Sequence, residues 1–374
     1  NGDEKTILHC SLADGLGLSS ADDMYCIFRD EVTDLEYIRS NRQLRDEGMY
    51  AELGAYKRHV FTGFREVRDG AARHWSRLCE MLAGRGVGSV EAAARELALQ
   101  PILRAMEAAL DAPMLTGYVR GESVADGQDT AAAAEFEART RQLLDEATRE
   151  ARGAFPPDDT VREAAGLLDA LLALEPVPDP ASAAEVPATA DQAASPAATL
   201  SAAARIRRAA LGAWLLLRGI GRVRGEAGRA PVWIEDWILR QPLRIAFGRW
   251  GLGADESELA MGLTLALAEH ADGATAAKDA RPIVEGLLRE PETSAFLGIN
   301  RADGVIWYRK ERFEDLLGAL RVASLGRIAA EPALTDADRA AETARVESLF
   351  DAVDAAKAAS GWQVEPLLEA LRAR

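Results

Sequence analysis

The sequence predicts a mainly α-helical protein with a small antiparallel β segment at its N-terminal end. Three observations carry this. From Ala72 onward the chain is dominated by Ala, Leu, Arg and Glu, which are strong helix formers. Aromatic and β-branched residues concentrate before residue 70, most densely in GMYAELGAYKRHVFTGFREV over 48–67, where Gly54 and Gly63 stand as turns or bulges would. In the second half one strong strand signal remains, GVIWY over 304–308, entered through the turn pair Asp303-Gly304. The expected domains are a β segment over 1–70, a first helical part over 71–174, a flexible linker over 175–199, and a second helical part over 200–374 with its short strand at 304–308.

Residues 1–23 hold the tract DGLGLSS, with turn chemistry and no period. Strand-like runs at 24–28 and 36–39 flank the charged loop RDEVTDL; with two or three strands in 48–67 they make four or five candidates. Such a sheet needs a helical partner or more chain to cover it. Trp75, Leu78, Cys79 and Leu82 fall at i, i+3, i+4 and i+7 on one helix face, and Gly84, Gly86 and Gly88 end that helix. Ser89 then caps a helix whose Leu97 and Leu99 lead through Pro101 to Ile102, Leu103, Met106 and Leu110. A charged helix is expected over 131–151, and Thr160-Val-Arg-Glu163 reads as a capping box opening a helix that buries Leu167, Leu168, Leu171 and Leu172.

The 175–199 stretch places Pro176, Pro178, Pro180, Pro187 and Pro196 among Ala, Ser, Asp and Glu, with almost no large apolar side chain to anchor it. Beyond it, 202–223 is a helix with Trp214, Leu217 and Ile220 for burial. Pro231 starts a helix containing WIEDWIL, which Pro242 interrupts. Asp255-Glu-Ser-Glu258 caps a helix carrying Leu259, Met261, Leu263, Leu265 and Leu267, and Phe313, Leu316, Leu317 and Leu320 mark the apolar face of another. Two amphipathic helices complete the chain.

Composition narrows the function classes. Sixty acidic side chains against 44 basic ones give a formal charge of −16, which repels phosphate backbones and anionic lipid, so neither nucleic acid nor membrane is an expected partner. Cys10, Cys26 and Cys79 are odd in number and lack CxxC spacing, which suits buried small apolar residues in a reduced, cytoplasmic setting. The longest strongly apolar run, 211–217, is far short of the roughly 20 residues of a membrane span. The start at Asn1 reads as a processed chain or a fragment.

No residue set forms a catalytic constellation, and no cofactor or metal is expected: His9, His59, His74 and His270 are scattered without HxH or HExxH context. Gly84-Arg-Gly-Val-Gly-Ser89 has the bare amides of a phosphate loop, but follows a helix and lacks the Gly-Lys-Ser/Thr ending, so an interhelical turn is expected. Trp233 and Trp237, one turn apart beside Glu235 and Asp236, have the parts of a sugar-stacking platform with hydrogen-bonding carboxylates. The same i, i+4 spacing makes a core face with exposed acids alongside, which the pattern favours. The arginines over 205–229 suit either an anionic partner or internal ion pairs; the acidic surplus favours the latter.

YCIFRDEVTDLEYIRS over 25–40, followed by the 48–67 stretch, resembles the region just after the catalytic barrel in some prokaryotic glycosidases of the α-amylase family. GRGVGSVEAAARELALQPI, PVWIEDWILRQPL and FLGINRADGVIWYRKERFEDLL are similar to the long helical extension of those proteins. The resemblance implies an upstream (β/α)8 barrel in which an aspartate nucleophile and a glutamate acid/base process α-glucosidic bonds with retention. It assigns no catalytic residue here: GFREVRD over 63–69 resembles a barrel-strand motif, yet Val67 stands at the aspartate position and Asp69 comes two residues late. What it implies is an accessory role, a β segment packed on the barrel and a helical domain that shapes the substrate cleft or an oligomer interface, with α-glucan as the ligand. The alternative is a self-standing acidic helical interaction module.

Overall fold

The computed structural model describes residues 10–51, 53–70, 73–122, 129–151, 157–175, 200–225 and 230–372. It is mainly α-helical, with a small antiparallel sheet near its N-terminal end. Contacts divide it into two units, Asn1–Gln100 and Pro101–Arg374.

Unit 1 contains α1 (Leu12–Gly15), β1 (Met24–Asp30), β2 (Leu35–Ser40), α2 (Asn41–Asp46), β3 (Phe61–Arg68), α3 (His74–Leu82) and the start of α4 (Val90–Leu110). The strands form an antiparallel sheet in the order β2-β1-β3. The alternation of β1 divides its side chains between two cores. Ile27 joins Ile38, Leu78, Leu82 and Val90 on one face, while Cys26 and Phe28 join Ala13, Leu18 and Leu44 on the other. Helices of the same unit therefore cover both faces of the sheet, supplying the helical partner that such a sheet needs. Gly63, at φ +64°, sits where the β1–β3 register slips between Ile27 and Arg29, so it serves the bulge its composition suggested.

Among the described residues of 48–67 only β3 is a strand, and the sheet they form has three strands, fewer than the four or five expected. The reason is periodic: Tyr50, Leu53 and Tyr56 recur every third residue, which puts no common face on a pleat. The described residues of 48–60 form a loop, with Tyr56 itself at φ +64°.

Unit 2 continues α4 and adds α5 (Pro113–Arg120), α6 (Asp129–Ala151), α7 (Pro157–Leu174), α8 (Ala202–Arg224), α9 (Ala230–Asp236), α10 (Arg240–Arg249), α11 (Ala254–Ala276), α12 (Ala280–Arg289) and α13 (Pro291–Phe296). The hairpin of β4 (Asn300–Ala302) and β5 (Val305–Trp307) follows, then α14 (Lys310–Ala330), α15 (Asp336–Ser360) and α16 (Val364–Ala370). Asp303 and Gly304 both take positive φ, the type I′ geometry expected of an Asp-Gly turn. Two boundaries differ from expectation. Helix α7 opens at Pro157, with Asp158 and Asp159 in its first turn, and Thr160 is a buried helical residue. Pro242 lies in the first turn of α10 and so helps to begin a helix; the break before it is made by Ile238 at φ +56°.

Helix α8 is the axis of unit 2. It buries most of its length, Trp214 included, against α5, α6, α7, α11 and α14. Residues 176–199, expected as a linker between helical parts, lie outside the described residues, but α7 and α8 on either side of them share one core. A buried polar group joins the two sides. The Tyr118 hydroxyl donates to Glu175 Oε2 at 2.9 Å, Arg207 Nε donates to Glu175 Oε1 at 2.7 Å, and Arg208 donates to the carbonyls of Tyr118 at 2.9 Å and Glu175 at 2.6 Å. Arg208 is 3% exposed, so each of its bonds replaces lost hydration.

Candidate functional site

The structure places Trp233 and Trp237 in the core, 2% and 6% exposed, with ring centroids 6.4 Å apart and edge-on. The guanidinium of Arg224 lies 4.4 Å above the Trp237 ring. No indole face is free to stack on a sugar, so the platform is corrected to the core face that its spacing favoured. Glu235 and Asp236 are exposed beside it, and Glu235 pairs with Arg240.

Other candidates have structural partners. Arg65 of the GFR triplet binds Glu91 at 2.6 Å and Glu36 at 3.4 Å. Asp69 accepts from the backbone N–H of Trp75 at 3.0 Å and of Ser76 at 3.1 Å, which caps α3. Asp69→Ala is expected to destabilise unit 1 by about 1–2 kcal/mol in denaturant titration. The glycine loop before α4 is a turn, and its anion position is filled from within: Glu36 Oε2 accepts from Val90 N at 2.9 Å while Arg29 and Arg65 flank it. Burial raises the Glu36 pKa, but the Val90 bond and Arg65 outweigh it and hold the carboxyl below its ordinary value. A side chain at Gly86 would meet the Tyr37 ring at 2.7 Å, which explains the glycine there.

The arginines of α8 make internal ion pairs: Arg205 with Glu256, Arg207 with Glu175, Arg218 with Glu163 and Asp272, and Arg222 with Glu163. Cys26 is buried and Cys79 half-buried, but Cys10 is exposed, which corrects the expectation for that thiol. All three are unbridged. Among the described residues no group of three or more His, Cys, Asp and Glu could hold a metal ion. No helix among them is long and apolar enough to cross a membrane. His9 lies outside the described residues.

Two features were not legible as sites. The first is a cleft of about 430 Å³ in unit 2, between α10, α11, α13 and α14. Arg240, Asp255, Glu258, Glu292 and Arg312 supply its polar groups, and Leu259, Met261, Leu265 and Phe296 its apolar surface. Arg240 Nη2 lies 3.2 Å from both oxygens of Glu292, while Arg244 Nη2 binds Glu258 at 3.1 Å. Arg312 donates to the Phe296 carbonyl at 2.7 Å and lies over the Phe296 ring. The ring is pressed against Gly262, where a Cβ would come 2.3 Å from it. Partial burial, with Arg309 nearby, lowers the Arg312 pKa from its ordinary value. No local motif could have revealed this cleft, because its residues come from four separated helices.

The second is the surface of the 48–60 loop in unit 1. Tyr50, Leu53 and Tyr56 are the most exposed large apolar residues described, at 84%, 63% and 108%, and Val60 adds to them at 49%. The end of the loop is tied down by Asp30, a carboxylate with no solvent exposure. Its oxygens accept from Val32 N at 3.1 Å, Val60 N at 3.3 Å and Thr33 Oγ1 at 2.8 Å, and lie 2.7 Å from His59 Nδ1. The His59 ring stacks on Phe61, 5.7 Å between centroids, which continues into the Phe28, Tyr37 and Phe61 cluster.

Comparison of the chain with protein-family models, with curated proteins and with solved structures finds no match.

Proposed function

We propose that this chain is the non-catalytic accessory region of an α-amylase-type glycosidase acting on α-glucans, in which unit 1 docks on the catalytic barrel through its 48–60 loop. The resemblance of 25–40 and 48–67 to the segment after such barrels supports the family. The observation that carries the docking is the exposure of Tyr50, Leu53 and Tyr56 on a loop whose end is anchored by the buried Asp30. Exposed aromatic residues grouped on one loop mark a contact surface. Helical unit 2 supports the substrate cleft or an oligomer.

The test is to read the coding sequence upstream of Asn1 and to assay the intact product on starch and maltooligosaccharides. The expected result is a (β/α)8 barrel bearing an aspartate nucleophile and a glutamate acid/base, with retention at the anomeric carbon. A start codon immediately before Asn1 overturns the reading and leaves the loop to a self-standing interaction module.

A further inference from the structure

Where α7, α8, α11 and α14 meet, three guanidinium groups share two carboxylates. Glu163 accepts from Arg218 Nη2 at 3.2 Å and from Arg222 Nη1 at 2.6 Å. Asp272 lies 3.3 Å from Arg218 Nε and 2.9 Å from Arg327 Nη1. Each carboxylate thus answers two cations, and one positive charge stays uncompensated. Among the described residues Arg218 Nη1, Arg222 Nη2 and Arg327 Nη2 make no hydrogen bond. The Arg218 side chain is only 9% exposed, so water does little to replace the missing acceptor. Burial lowers the Arg327 pKa, Arg218 and Arg222 lower it further, and Asp272 and Glu163 only partly offset them.

The three arginines line one cavity of about 60 Å³, beside Leu167 and Ala330. At roughly 10–15 Å³ for the centre of each water-sized group, it holds about four, the oxygen count of one tetrahedral oxyanion. A cleft of about 460 Å³ shares Glu163, Arg222, Ala330 and Glu331 with it and adds Arg162 and Pro332. Charge then chooses the ligand class. The surplus guanidinium repels a cation, and a neutral ligand would leave it unanswered. Glu331 is the lining carboxylate without an arginine partner among the described residues, and it is exposed, where solvent screens it. The acidic surplus of the whole chain opposes a polyanion spread over the surface far more than one small ion held against three cations. Planar guanidinium forks match the oxygens of such an ion. We propose that this cavity is an oxyanion site for a phosphate group, free or esterified, held by Arg218, Arg222 and Arg327. The site stands apart from the docking of unit 1: either can fail with the other intact.

Calorimetric titration of the full chain with inorganic phosphate and with glycerol 3-phosphate, at low ionic strength, tests it. At least one of the two is expected to bind at a single site, weaker by about tenfold or more in Arg222→Gln and in Arg327→Gln. Glu331→Gln is expected to bind as tightly as wild type or more tightly, because it removes a negative charge from the cavity wall. The Arg222 side chain is 45% exposed, so Arg222→Gln reads the ligand with little effect on folding, which an unchanged melting temperature checks. Preference for the ester supports the site with the adjoining cleft in use, and preference for the free ion supports it without. No heat from either ligand, full affinity retained in both arginine variants, or weaker binding in Glu331→Gln overturns the proposal and leaves the arginines as ion pairs that join helices.

Discussion

Arg208→Ala is expected to lower the stability of the helical unit by about 3–5 kcal/mol, the range for breaking a buried charge pair by removing one partner. The side chain is 3% exposed, donates to the Tyr118 and Glu175 carbonyls, and lies 5.3 Å over the Tyr118 ring. Its loss leaves two buried carbonyls without those donors and removes one cation beside Glu175. For a unit of this size the melting temperature should fall by roughly 10 °C, read by calorimetry or circular dichroism. Arg244→Ala, at an exposed ion pair with Glu258, should cost about 1 kcal/mol or less. Equal losses from the two variants would show that the Tyr118–Glu175–Arg208 group is not the joint between the helices flanking 176–199.

The second large effect is at Asp30. Asp30→Ala removes a buried carboxylate that accepts four hydrogen bonds and ties the end of β1 to the 59–60 backbone. A loss of about 3 kcal/mol in unit 1 is expected, with faster amide exchange at Val60. The pH dependence has a definite sign. Burial pushes the Asp30 carboxyl up, but the bonds from His59, Thr33, Val32 and Val60 outweigh it and hold the folded pKa well below the carboxylate range. A depressed folded pKa contributes stability that is complete above the unfolded value, about 4, and is lost as pH falls through the folded value. The difference between wild type and Asp30→Ala should therefore shrink as pH falls below about 4. A difference that grows on acidification would contradict this assignment.

Local pattern was legible where one segment decides its own structure. The strands at 24–28 and 36–39 extend to Met24–Asp30 and Leu35–Ser40, and the Asp303-Gly304 turn makes its hairpin, because alternation and positive-φ residues act within a few residues. The burial of Trp233 and Trp237 followed from their i, i+4 spacing in the same way. Aromatic content misled over 48–60, because propensity without a two-residue period makes no sheet face. The unit boundary at Gln100 and Pro101 falls inside α4, where Pro101 is the one local mark of it and helix-forming composition resumes on its far side. The cleft and the Arg208 group were illegible for another reason. Arg240, Asp255, Phe296 and Arg312, like Tyr118, Glu175 and Arg208, are brought together only by tertiary packing, and no local spacing encodes it.

Titration of the proposed upstream barrel, separately produced, with this chain tests whether the 48–60 loop is its docking surface. One-to-one binding is expected that weakens at least tenfold in Tyr50→Ala combined with Tyr56→Ala, about 1.4 kcal/mol or more, while the variant's melting temperature is unchanged because both rings are exposed. Binding of full strength by the double variant, or no binding by the wild-type chain, would contradict it.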